Sequence, residues 1–129
     1  WTHFSENAAL TWLQEMHRII KPGGFFCFTT KGLMSIAIAL NNPKIFRNML
    51  APAVDNKDFL PTLIASLSGS GFFFTTEHYL DKTAGEDWGQ TFISHRWLDE
   101  HCAHAGFTGR TSLLMAWGFK QDLHVFKKP

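Results

Sequence analysis

Lys21-Pro22-Gly23-Gly24-Phe25-Phe26-Cys27-Phe28, preceded by the helical pattern Ser5 to Ile20, is the stretch that decides how this chain is read. Ser5 suits a helix N-cap, and Glu6 places a negative charge in the first turn. Ala9, Leu13, Met16 and Ile20 then recur at helical spacing, with Leu10, Trp12 and Ile19 widening the stripe. Pro22 and the two glycines end that helix. The apolar run that follows has no polar alternation, which predicts a strand buried on both faces, as in a parallel sheet covered by helices. The unit is the second half of a βαβ crossover. The strand that should precede the helix is almost absent, so the chain is expected to start partway through its fold.

Size and composition bound the rest. The 129 residues suit one domain, and 45% hydrophobic with 18% charged residues is a globular composition. Thirteen phenylalanines offer ample core material. A formal net charge of +1 points to neither nucleic acid nor an anionic membrane surface. No apolar segment reaches the roughly 20 residues needed to span a bilayer. Cys27 lies in the buried-strand pattern and Cys102 in a later helix. Both are expected to be reduced core thiols, as in a cytoplasmic α/β protein.

Beyond the first strand, Leu33 to Leu40 is apolar almost all round and reads as a buried or lid helix. Asn42-Pro43 caps a further helix, Lys44 to Leu50. A third is expected around Leu60 to Leu67, with Leu60, Leu63, Ile64 and Leu67 on one face. Ser68 to Gly71 breaks the chain. The span 33–71 reads as a helical insertion within the single domain 1–129, since long connections in compact domains are usually functional. Phe72 to Thr76 and Gln90 to Ile93 are extended, with a polar loop, Asp81 to Gly89, between them. Ser94 caps a helix carrying Trp97, Leu98, His101, Cys102 and Ala105, which stops at Gly106. Leu113 to Trp117 and Leu123 to Phe126 predict a final antiparallel pair.

This order of elements resembles the C-terminal half of a class I S-adenosylmethionine-dependent methyltransferase. Trp1-Thr2-His3-Phe4 is similar to the end of the family's fourth strand. Ser5 to Ile20 matches the next helix, and Ile20-Lys21-Pro22-Gly23-Gly24 the turn into a fifth strand, Phe25 to Thr30. Gly89 to Ser94, Gly106-Phe107 and Gln121 to Phe126 resemble the family's tail, which ends in a sixth strand and an antiparallel seventh. The resemblance implies a partial Rossmann-like fold and a parent that moves a methyl group from S-adenosylmethionine to a small-molecule acceptor. The family's glycine-rich loop and its ribose-binding acidic residue have no counterpart here. The chain alone is therefore expected to bind no S-adenosylmethionine and to be inactive by itself.

Ligands of open α/β sheets bind beyond the carboxyl ends of the strands. His3 falls at that edge and is the candidate for orienting an acceptor or taking its proton. Against this, it reads as a turn histidine bonded to backbone near the helix start. Trp1, Thr2 and Phe4 share the place, although Phe4 also reads as a hydrophobic staple onto the helix. Thr29, Thr30 and Lys31 follow the fifth strand at the same edge; alternatively they cap the next helix in solvent. Gln90 and Thr91 approach from the insertion side.

His95, His101 and His104 share a helix with Cys102, yet their spacing lacks a metal-binding pattern, and no metal is expected. Gly69-Ser70-Gly71 has neither the spacing of a nucleophile elbow nor a preceding strand. A second class of function stays open: a non-catalytic α/β association module. Its unpaired sheet edge and apolar face would favour a homodimer. A nucleotide-dependent oxidoreductase has no phosphate loop to support it.

Overall fold

The computed structural model describes residues 1–45, 50, 56–76, 88–118 and 120–129. Their elements follow the order α1 (Glu6–Ile19), β1 (Phe25–Thr30), α2 (Leu33–Asn41), α3 (Phe59–Ser68), β2 (Phe72–Thr76), β3 (Gly89–Ile93), α4 (His95–His104), β4 (Thr108–Trp117) and β5 (Gln121–Lys127). The protein is α/β with antiparallel sheets. One sheet has the order β1-β5-β4, and the other pairs β2 with β3.

The helix ends form as local chemistry dictates. The Ser5 hydroxyl accepts the Ala8 amide, and the Ser94 hydroxyl accepts the Trp97 amide. Each satisfies one of the amides that a helix start leaves without an intrahelical partner. Asn42 caps as expected, its Oδ1 accepting from the amides of Lys44 and Ile45. Most of the helix expected over Lys44 to Leu50 lies outside the described residues. So does the polar loop Asp81 to Gly89, apart from its last two residues, Trp88 and Gly89.

The β1 strand departs from expectation. It pairs antiparallel with β5, and its residues alternate between exposed and buried. Phe26 and Phe28 point into the core, whereas Phe25 is 64% exposed and Cys27 is exposed. A strand sends successive side chains to opposite faces, and here α1 and α4 supply the core on one face. Cys27 is therefore not a core thiol; Cys102 is, and its burial raises the thiol pKa to about 12.

Two apolar cores result. The first joins Ala9 and Leu13 of α1, Phe26, Phe28 and Phe126 of the larger sheet, and Trp97, Leu98 and Cys102 of α4. The second joins Ile36 and Ala39 of α2, Phe59, Leu63 and Leu67 of α3, and Phe92 of β3. The β2–β3 pair serves both. Phe72 and Ile93 face the first core, while their neighbours Phe73 and Phe92 face the second.

The insertion helices are less enclosed than their composition implied. On α2 only Ser35, Ile36 and Ala39 are buried, and Leu33, Met34 and Leu40 are exposed. On α3, Phe59 takes the core place expected for Ile64, which is exposed. The break after α3 is real. Gly71 has φ +88, and a Cβ there would lie 2.5 Å from Ser94 Oγ and 3.0 Å from Trp97 Cβ. The final antiparallel pair exists but is longer than expected, Thr108–Trp117 with Gln121–Lys127. Its register shifts between Leu113 and Trp117, where Met115 adopts φ 55. That irregularity is held by Asp122, whose Oδ1 accepts the Met115 amide at 2.9 Å.

Among the described residues, no helix is long and apolar enough to cross a membrane.

Candidate functional site

The segment Thr2 to Phe4 runs beside β3, at the end of β1. The Gly89 amide donates to the His3 carbonyl (2.9 Å), and the Thr91 amide donates to the Thr2 carbonyl (3.0 Å). Thr91 is buried, and its hydroxyl donates to the Phe4 carbonyl at 2.6 Å. Just beyond β1, the Lys31 carbonyl accepts the Ile93 amide at 2.8 Å. These backbone bonds bring residues 2–4, 31 and 89–93 together from three distant parts of the chain.

Side chains complete the cluster. His3 Nδ1 lies 2.7 Å from the Gly89 carbonyl oxygen. A carbonyl only accepts, so Nδ1 carries a proton and donates it to this bond. The His3 ring stacks on Trp88 with centroids 4.9 Å apart and planes 5° apart. Its backbone partner is 86 residues away rather than near the helix start. Lys31 is buried and donates to the Gln90 carboxamide oxygen, with its ammonium 5.8 Å from the centre of the Phe92 ring. A buried ammonium needs such contacts to offset its lost hydration.

The other candidates are used differently. Trp1 packs against Phe4, Phe26 and Phe28, so it belongs to the core margin. Phe4 touches the first core and stacks on Trp12 of α1, as a staple would. Thr29 points away from the cluster and donates to Gln121 at 2.6 Å. Thr30 is buried, 2.7 Å from His124 Nε2. Neither Thr30 nor Lys31 lies in solvent, and the N-cap of the next helix is Gly32, whose amide donates to the Ser35 hydroxyl.

A second constellation was missed in the sequence: His95, Asp122 and His124, whose ligand-type atoms all lie within 4.8 Å of one another. Asp122 and His124 are both buried. Ser112 Oγ sits 2.8 Å from His124 Nδ1. Arg110 donates to Ser112 (2.6 Å) and to both Asp99 oxygens (2.7 and 3.2 Å). His95 Nε2 stands 4.0 Å from Asp122 Oδ2. Burial, then the nearby charges of His95 and Arg110, push the His124 pKa down to about 4. Burial and Arg110 also lower His95, against the pull of Asp122 and Asp99. The one signal in the sequence is the spacing of Asp122 and His124, two apart and so on one face of a strand. Of the three α4 histidines weighed in the sequence, His95 is a member, whereas His101 and His104 lie further along α4 and are not.

Comparison with protein-family models, curated proteins and solved structures finds no match for this chain.

Proposed function

We propose that this chain is the C-terminal part of a class I S-adenosylmethionine-dependent methyltransferase and forms the acceptor side of its site. The observation that carries the reading is the bonding of the 89–93 strand to both segments flanking α1 and β1: His3 to Gly89, Thr2 to Thr91 and Lys31 to Gln90. In the family this chain resembles, ligands bind beyond the carboxyl ends of the strands. The order of elements adds support: helix, Lys-Pro-Gly-Gly turn, strand, and a last strand running antiparallel to both neighbours.

Among the described residues, Gly71 of the Gly-Ser-Gly stretch is packed against Ser94 and Trp97. The cofactor side would come from chain preceding Trp1. When bound there, S-adenosylmethionine supplies an electrophilic methyl group. The residues of this chain would act on the acceptor. Lys31 and Gln90 orient its polar groups, Trp88 shields it from water, and His3 orients it or takes its proton. Such a site works chiefly by positioning, with a general base where the acceptor needs one.

The test is calorimetry and a methyl-transfer assay on the chain joined to its upstream coding sequence. A micromolar affinity for S-adenosylmethionine is expected there and none for the chain alone. His3→Ala in the joined protein should lower turnover by about 10²-fold or more. Absence of binding in the joined protein would sink the reading, and unchanged kinetics would remove His3 from the site.

One observation favours a second reading, an association module. The face of the larger sheet opposite the core carries Phe25, 64% exposed, and Leu113, 57% exposed, with Cys27 and Thr111 in adjoining register. Apolar faces of this kind mark contact surfaces. On this reading the chain dimerises in light scattering, and Phe25→Lys returns it to a monomer. A wild-type monomer at high concentration counts against it.

A further inference from the structure

We propose that His95, Asp122 and His124 form a binding site for a borderline divalent metal ion of the Zn²⁺ class. The inference is independent of the methyltransferase reading. Two imidazoles and one carboxylate are the donor set such ions take with three protein ligands and one position left for water or another ligand.

The geometry is close to that of a bound site. Ligand atoms about 2.0–2.1 Å from a tetrahedral ion stand roughly 3.4 Å from one another. Here they lie within 4.8 Å, and His95 Nε2 to Asp122 Oδ2 is 4.0 Å. At 4.0 Å these two make no hydrogen bond, so the space between them is not closed by direct pairing. The His95 side chain is 42% exposed and lies in the first turn of α4, its ring 5.5 Å from that of His124. Asp122 and His124 come from one rigid strand in the middle of its sheet.

The surroundings are built as a ligand shell requires. Asp122 is fixed through Oδ1 by the Met115 amide, which leaves Oδ2 as the ligand atom toward His95. Gly32 borders that oxygen; a Cβ there would stand 3.2 Å from it, so the missing side chain keeps the space open. His124 is oriented at Nδ1 by Ser112, itself held by Arg110 and Asp99. Outer partners of this kind set the ring orientation of metal-binding histidines. Nε2 is the nitrogen on the metal side. Its present neighbour is the Thr30 hydroxyl, and Thr30 pairs directly with Asp122 across the two strands. Binding exchanges that hydroxyl for the ion by a rotation of Thr30. The low pKa of His124 keeps it in the neutral form that a metal needs at pH 7.

The test is titration of the chelator-stripped chain with Zn²⁺ by calorimetry and with Co²⁺ by absorption. One equivalent is expected, with ligand-field bands for Co²⁺ of low coordination number and a higher melting temperature. His95→Ala should weaken binding at least tenfold with an unchanged circular dichroism spectrum. Asp122→Asn, which keeps an acceptor for Met115, should do the same. His101→Ala paired with His104→Ala controls for helix-surface histidines and should change nothing. The proposal is overturned if the wild type takes up no stoichiometric ion, if His95→Ala binds as tightly, or if the His101/His104 pair abolishes uptake.

Discussion

Trp97→Ala is expected to cost about 3–5 kcal/mol, measured as the loss of unfolding free energy in urea. Trp97 is 1% exposed and lies where three elements meet. Its indole packs against Phe72 of β2 with centroids 5.0 Å apart. It also stacks on His101, one turn along α4, at 4.2 Å and 13°. Its Nε1 donates to Glu6 in the first turn of α1 at 2.7 Å, tying the two helices that cover the sheet. Truncation leaves a cavity and a carboxylate without its partner. Trp97→Phe separates the two terms. It removes the hydrogen bond but keeps most of the buried aromatic volume, so the loss should be smaller, about 1–2 kcal/mol. Small domains hold roughly 5–15 kcal/mol in all, so the alanine variant should lose a large share of its stability. A loss under about 1 kcal/mol would mean that Trp97 is not the joint between α1, α4 and β2.

Acidification from pH 7 to pH 4 is expected to destabilise the protein by up to roughly 3 kcal/mol through His124. The unfolded imidazole takes its proton near its ordinary pKa, about 6.5. In the fold it does so only near 4, because burial and the neighbouring His95 and Arg110 disfavour the cation; Asp99 opposes them weakly. Between these two values the unfolded chain binds more protons than the folded one. Stability from this group is therefore complete above pH 6.5 and lost as the pH falls toward 4. His95 is shifted the same way and adds to the slope, while the carboxylate of Asp122 lies within reach of His95. Urea midpoints taken across this range with a chelator present should fall, and His124→Gln, which cannot titrate, should flatten the curve. Parallel pH profiles for wild type and variant would assign the acid loss to the carboxylates instead.

Much of the candidate site near His3 was legible in advance. His3, Lys31, Gln90 and Thr91 stand next to strand ends in the sequence, and strand ends are where an α/β sheet exposes polar groups. Thr29 and Thr30 share that position, yet they separate. Adjacent strand residues point to opposite faces, so one reaches Gln121 and the other His124. The His95–Asp122–His124 cluster was not legible. It joins a helix start to a strand 27 residues later, and no local spacing announces such a meeting.

The outcome of β1 shows the same division. The run Phe25 to Phe28 was sufficient to make a strand, as Ser5 and Ser94 were sufficient to start helices and Pro22-Gly23 to end one. Those features rest on hydrogen bonds and apolar periodicity within a few residues, which the sequence by itself determines. Which face of β1 is covered, its antiparallel partner, and the placing of β5 between β1 and β4 were decided only by the tertiary structure. Burial and strand pairing depend on segments up to a hundred residues apart, and their side chains alternate between faces with no mark in the local composition.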